Sequence, residues 1–154
     1  MSPYFLAVDI GASSGRHMLG HLEKGRLVLE EIYRFENGMK QTKEGLCWDI
    51  PALFQEIKTG IRRCGELGKI PVSMGIDTWA VDYVLLDEQD QILGDTFGYR
   101  DSRTAGMDEE VYRLIPEKEL YQRTGIQKQI FNTVFQLMAV KRRIRNILNR
   151  QEPF

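Results

Sequence analysis

Apolar and polar positions along the chain change period several times, and each change marks an element. Residues 4–10, YFLAVDI, form a near-continuous apolar run of strand length, which predicts a central strand buried on both faces. Residues 11–13 carry turn chemistry. The segments 16–22 and 27–35, parted by Glu23, Lys24, Gly25 and Arg26, predict the second and third strands of an antiparallel meander.

The period then lengthens to that of a helix. Asp49 is placed to cap it and Pro51 suits its first turn, while Leu53, Phe54, Ile57, Ile61, Cys64 and Leu67 recur on one face; Gly65 and Gly68 end it, with Pro71 beyond. Residues 72–77 and 81–87 are again apolar, β-branched and of strand length. From Thr104, a candidate cap, Asp108, Glu109 and Glu110 occupy a first turn, and Met107, Val111, Leu114 and Ile115 share a face. Pro116 opens a short helix that closes near Gly125. A last helix is expected over residues 132–149, with Val134, Leu137, Met138, Ile144 and Leu148 on one side and Lys141, Arg142, Arg143 and Arg145 mostly on the other.

Composition narrows the picture. With 154 residues one domain is expected, and a net charge of −1 gives no bulk attraction to nucleic acid or to an anionic membrane. The basic run 141–145 therefore reads as the wet face of its helix. Cys47 and Cys64 lie in unrelated contexts, which suits a reducing, cytoplasmic compartment. No basic region precedes the first apolar run, and no apolar segment approaches the roughly 20 residues needed to span a bilayer, so a soluble, unprocessed chain is expected.

Two stretches carry candidate chemistry. In AVDIGASSGR, a strand ends on Asp9, Gly11 opens the turn to close approach, Ser13 and Ser14 add hydroxyls and Arg16 adds a forked cation. These residues suit a phosphate group with a hydrated Mg²⁺ held near Asp9; they equally suit a hairpin whose carboxylate bonds turn amides and whose serines are solvated. The loop is neither GxxxxGK[ST] nor GxGxxG, and it joins two antiparallel strands. In GIDTWAVDYVLLD, Asp77, Thr78, Trp79 and Asp82 interrupt apolar surroundings. Carboxylates and an indole fit a polyol; the same residues also fit strand-end caps and a core tryptophan. His17 and His21, in the second strand, suit packed or solvated roles.

Taken in order and spacing, AVDIGASSGR, GIDTWAVDYVLLD, YRDSRT and YQRTGIQKQIFNTVFQL resemble the N-terminal half of the FGGY carbohydrate kinases, most closely the branch acting on L-rhamnulose. The resemblance spans essentially the whole chain. It implies an α/β, ribonuclease-H-like N-terminal domain of the actin, hexokinase and Hsp70 type, with a mixed sheet opening in a three-strand meander and helices packed around it. It implies that residues 1–154 are one such domain, incomplete at its C-terminal end, with a second kinase domain outside this chain. By similarity, Gly11, Ala12, Ser13, Ser14, Gly15 and Arg16 would contact ATP phosphates, and Asp9 would organise Mg²⁺ through water. Trp79, Ala80, Asp82 and Arg100 would bind the sugar, within segments that also hold Tyr99, Asp101 and Arg103; the family's usual residue at Ala80 is glycine.

The implied reaction is transfer of the ATP γ-phosphate to the 1-hydroxyl of L-rhamnulose. The family's general-base aspartate lies in a His-Asp-Thr segment that this sequence lacks, so no catalytic residue is expected here and the chain alone is expected to be inactive. Alternatives are a kinase for L-fuculose or D-xylulose, or a non-catalytic sugar- or nucleotide-binding module of the same fold. Self-association of such a fragment is also expected.

Overall fold

The computed structural model describes residues 2–150, with side chains as far as Ile144. Strand β1 (Tyr4–Ile10) pairs antiparallel with β2 (Ser14–Glu23), which pairs antiparallel with β3 (Arg26–Glu36). The β2–β3 turn carries Lys24 and Gly25 with φ of 49° and 77°, the two-residue geometry that matches strand twist. Two short strands, β4 (Met39–Gln41) and β5 (Leu46–Trp48), precede helix α1 (Ile50–Glu66). Strand β6 (Pro71–Thr78) then returns parallel to β1, giving a mixed sheet in the order β3-β2-β1-β6. A second, three-stranded sheet has the order β4-β5-β7, where β7 is Thr96–Phe97. After a 3-10 turn at Ser102–Thr104 come α2 (Met107–Tyr112), α3 (Glu117–Thr124) and α4 (Thr133–Arg150).

The chain divides into two compact units, residues up to 40 with 48–80, and 41–47 with residues from 81 onward. In the first, α1 covers one face of the large sheet. Asp49 accepts the Ala52 amide at 3.0 Å and Pro51 sits in the first turn, as the sequence predicts. The other end closes on Gly68, at φ 67°, with the Lys69 amide bonded back to Cys64 O. Leu6, Val8, Ile10, Leu19, Phe35 and Cys64 form the core, with Leu53 and Ile57 packed on it. Among the described residues no helix is long and apolar enough to cross a membrane.

Several expectations need correction. Strand β1 is buried on one face only: Leu6, Val8 and Ile10 point under α1, whereas Phe5 and Ala7 on the opposite face are exposed. On α1, Phe54, Ile61 and Leu67 are exposed, because Gly60 and Cys64 sit deepest against the sheet and shift the buried stripe. Residues 81–87 do not form a strand. Val81 has φ 70° and its carbonyl is taken by side chains, which leaves no ladder, and only an isolated bridge joins Leu86 to Ile92.

In the second unit Gly106, not Thr104, precedes α2, since Thr104 is buried in the 3-10 turn. Met107, Val111, Phe135 and Ala139 make the core there; Leu114 is exposed. On α4 the buried face is Phe135, Gln136 and Ala139, so Val134, Leu137 and Ile144 are exposed. Lys141, Arg142 and Arg143 are exposed as expected, and the faces of Arg145 and Leu148 lie outside the described residues.

Candidate functional site

The register of the large sheet builds the first part of the site. Asp9 is paired with Arg16 on β2 and with Asp77 on β6, while Arg16 is paired with Arg34 on β3. Cross-strand partners share a face. One row of four charged residues therefore crosses the sheet, on the face opposite α1. Within it Arg16 donates to the Asp9 carboxylate at 2.7 Å, and both side chains remain over a third exposed.

The turn beside this row is held from inside. The Gly11 amide donates to Ser14 O at 2.9 Å, the Asn37 amide to Ser13 O at 3.0 Å, and the Asn37 side chain to Gly11 O at 2.9 Å. A methyl group on Gly15 would lie 2.1 Å from the Phe35 ring, so this position requires glycine for packing. Asn37 carries no family-like motif and was missed by sequence reasoning; only the return of β3 brings it to the turn. Ala12 and Ser14 are half-buried and Ser13 is exposed. The turn presents two hydroxyls, a guanidinium and a carboxylate on a frame whose Gly11, Ser13 and Ser14 carbonyls are already bonded, and that donor set fits a phosphate with a hydrated divalent cation. Among the described residues no group of three or more His, Cys, Asp or Glu could hold a metal by protein ligands alone.

Also in this unit, Trp79 lies half-buried on the core with its ring 4.1 Å from that of Trp48, and Ala80 is exposed. His17 is fully buried, donating from Nε2 to Ile57 O at 3.1 Å under Gly60. Burial lowers its pKa, opposed by that hydrogen bond and by the Glu56 charge.

The second unit holds a separate polar network. Asp82 accepts the Tyr99 amide on Oδ2 at 3.1 Å and the Gln136 side chain on Oδ1 at 3.0 Å. Gln136 and Thr133 also donate to the carbonyl of Val81, a β-branched residue in a region that such residues rarely occupy. The Gln136 oxygen in turn accepts from Arg103. Arg103 lies 4.4 Å from the Phe97 ring and 3.6 Å from Asp101, whose carboxylate caps the 3-10 turn and accepts the Leu46 amide. Arg100, the arginine favoured from sequence, is exposed and stands 5.4 Å from the Tyr99 ring. Gln136 was also missed: it reads as one polar residue in an amphipathic helix, and only its three-dimensional neighbours reveal it. A cavity of about 650 Å³ opens in this unit beside Val81, Asn132 and Thr133.

Comparison with known proteins adds a frame. Residues 4–154 match the FGGY family of carbohydrate kinases, N-terminal domain. The chain is similar to the rhamnulokinase of Halalkalibacterium halodurans, 53% identical over 151 residues, covering 98% of this chain and 32% of that protein. It is also similar to the rhamnulokinase of Bacillus subtilis, 45% identical over 141 residues, covering 91% and 29%. The chain thus spans about a third of the length of these curated relatives. Among solved structures it resembles a gluconate kinase from Lactobacillus acidophilus (TM-score 0.77, 15% identity, 97% of this chain and 30% of that one). A xylulose kinase from the same organism is similar (TM-score 0.75, 15% identity, 96% and 30%).

Proposed function

The chain belongs to the FGGY family of carbohydrate kinases, as a member of that family's N-terminal domain, and from that premise we propose that it is part of an ATP-dependent kinase for L-rhamnulose. The observation that carries this reading is its 45–53% identity with rhamnulokinases across most of its length. The product would be L-rhamnulose 1-phosphate.

In this reading each unit contributes a distinct part. The turn 11–16 cradles the ATP phosphates: Ser13 and Ser14 offer hydroxyl donors, Arg16 offers charge-assisted donors, and Asn37 keeps the turn in the shape that receives them. Bound Mg²⁺ would neutralise charge on the transferring phosphoryl group, with Asp9 as the side chain that holds its water shell. The Asp9–Arg16 ion pair positions both groups before nucleotide arrives. In the first unit, the Trp79 indole beside Ala80 is suited to cover apolar atoms of a sugar; in the second, taken by itself, Asp82 and Arg100 carry the charged groups suited to sugar hydroxyls. The proton of the attacking hydroxyl passes to a general base outside this chain. A location in the cytoplasm belongs to the same reading.

The test joins this chain to the remaining two-thirds of a rhamnulokinase relative and follows ADP release with L-rhamnulose, L-fuculose and D-xylulose. Rhamnulose-preferring turnover that falls about a hundredfold with Asp9→Asn is expected. Turnover without sugar dependence, or indifferent to Asp9, overturns the reading.

A further inference from the structure

Gln136 is fully buried in the first turns of α4, and both ends of its carboxamide are hydrogen-bonded. A carboxamide has two N–H donors and one oxygen acceptor. Here Nε2 lies 3.2 Å from Val81 O, 3.0 Å from Asp82 Oδ1 and 3.0 Å from Phe131 O, so its two N–H groups are shared among three acceptors, and Oε1 accepts from Arg103. Glutamate in its place would repel Asp82, and leucine would satisfy neither neighbour. The carboxamide alone serves an anion and a cation at once.

The segment it holds is not part of a strand, and Asp82 is also bonded by the Tyr99 amide. Val81 sits at φ 70°, no ladder forms over residues 81–85, and the Val81 carbonyl relies on Gln136 and Thr133. We propose that Gln136 is the positioning residue of the Val81–Asp82 strap, fixing the orientation of the Asp82 carboxylate that takes sugar hydroxyls. The sugar role rests on the kinase reading above; the strap role rests on geometry alone. Arg103 extends the device. By holding the Gln136 oxygen while ion-paired to Asp101, it sets which way the carboxamide faces and ties the strap to the 99–104 segment.

Two measurements separate these parts. In the 154-residue chain, amide hydrogen exchange at Tyr99, whose N–H is bonded to Asp82 Oδ2, reports the strap; Gly11 in the hairpin serves as the control. Gln136→Leu and Gln136→Glu are each expected to speed Tyr99 exchange about tenfold and leave Gly11 unchanged. Gln136→Glu combined with Asp82→Asn restores a donor–acceptor pair and recovers most of the Tyr99 protection. Unchanged Tyr99 exchange in both single variants overturns the positioning role.

In the joined kinase, Gln136→Leu is expected to raise the KM for L-rhamnulose about tenfold, with the KM for ATP within about twofold of the unsubstituted protein. A residue that only supports folding would lower the active fraction, and so kcat, without this split. An unchanged sugar KM, or equal rises for both substrates, overturns the sugar role. If the unsubstituted kinase shows no sugar-stimulated turnover, the kinase reading falls and the sugar role with it, while the exchange experiment still decides the strap.

Discussion

His17 shows how a single residue binds the first unit to solution conditions. Its ring is enclosed by Tyr33 and Phe35 at 5.6 and 6.3 Å and by α1, where a methyl on Gly60 would stand 2.3 Å from ring atoms. The charged group facing it is Glu56, which favours protonation, but burial is the larger influence and keeps the folded pKa below its ordinary value. The unfolded imidazole takes up its proton near pH 6.5. Below that pH the unfolded chain therefore binds more protons than the folded one, and stability falls on acidification. Thermal midpoints measured from about pH 8 to 5 are expected to drop more steeply for this chain than for His17→Leu. Parallel curves would show that His17 does not carry the dependence. At this scale the sequence was most legible where chemistry is contiguous, as in Asp9 to Arg16. It was silent on Asn37 and Gln136, whose importance arises from partners 26 and 55 positions away.

Elements were readable in proportion to how local their causes are. Helix α1 is specified by its cap, its proline and its terminal glycine, and all three act in the structure, whereas its apolar periodicity gave the helix but only part of the buried face. Asp49 accepts the Ala52 amide and also pairs with Lys40 at 2.8 Å, which together hold its carboxyl below the usual range. Asp49→Ala is expected to cost about 1 kcal/mol of unfolding free energy, and Asp49→Ser to recover most of it, since serine caps equally well. Denaturant titration of both variants checks this, and a loss equal in both would assign the effect to Lys40 instead. The segment 81–87 marks the opposite limit. Its β-branched residues promise a strand, but a strand also needs a neighbour with free backbone groups. At Val81 side chains from α4 take that place, so tertiary partners override local propensity. The apolar stripe of α4 failed for a related reason: its buried face is chosen by α2, with Phe135 and Ala139 against Met107 and Val111.

At the scale of the whole molecule, the large sheet explains why the family was recognisable. The meander and parallel β6 give the fold shared with FGGY sugar kinases. On the sheet face opposite α1, register places Phe5 beside Gly20, Gly20 beside Leu29, and Leu22 beside Leu27, and the four large side chains are 47–66% exposed. Toward the other end of the same face the row of Arg34, Arg16, Asp9 and Asp77 is charged. One end is thus suited to burial and the other to a polar ligand, which is a pattern for a surface that packs in part and binds in part. In the isolated chain the cover at hand for the apolar end is a second copy. Sedimentation is expected to show concentration-dependent association that Leu27→Lys with Leu29→Lys abolishes, without loss of the folded signal, because both leucines are already solvent-facing. A monomer at every concentration would mean that the leucines are tolerated singly in water, and association insensitive to the double substitution would move the contact to another surface.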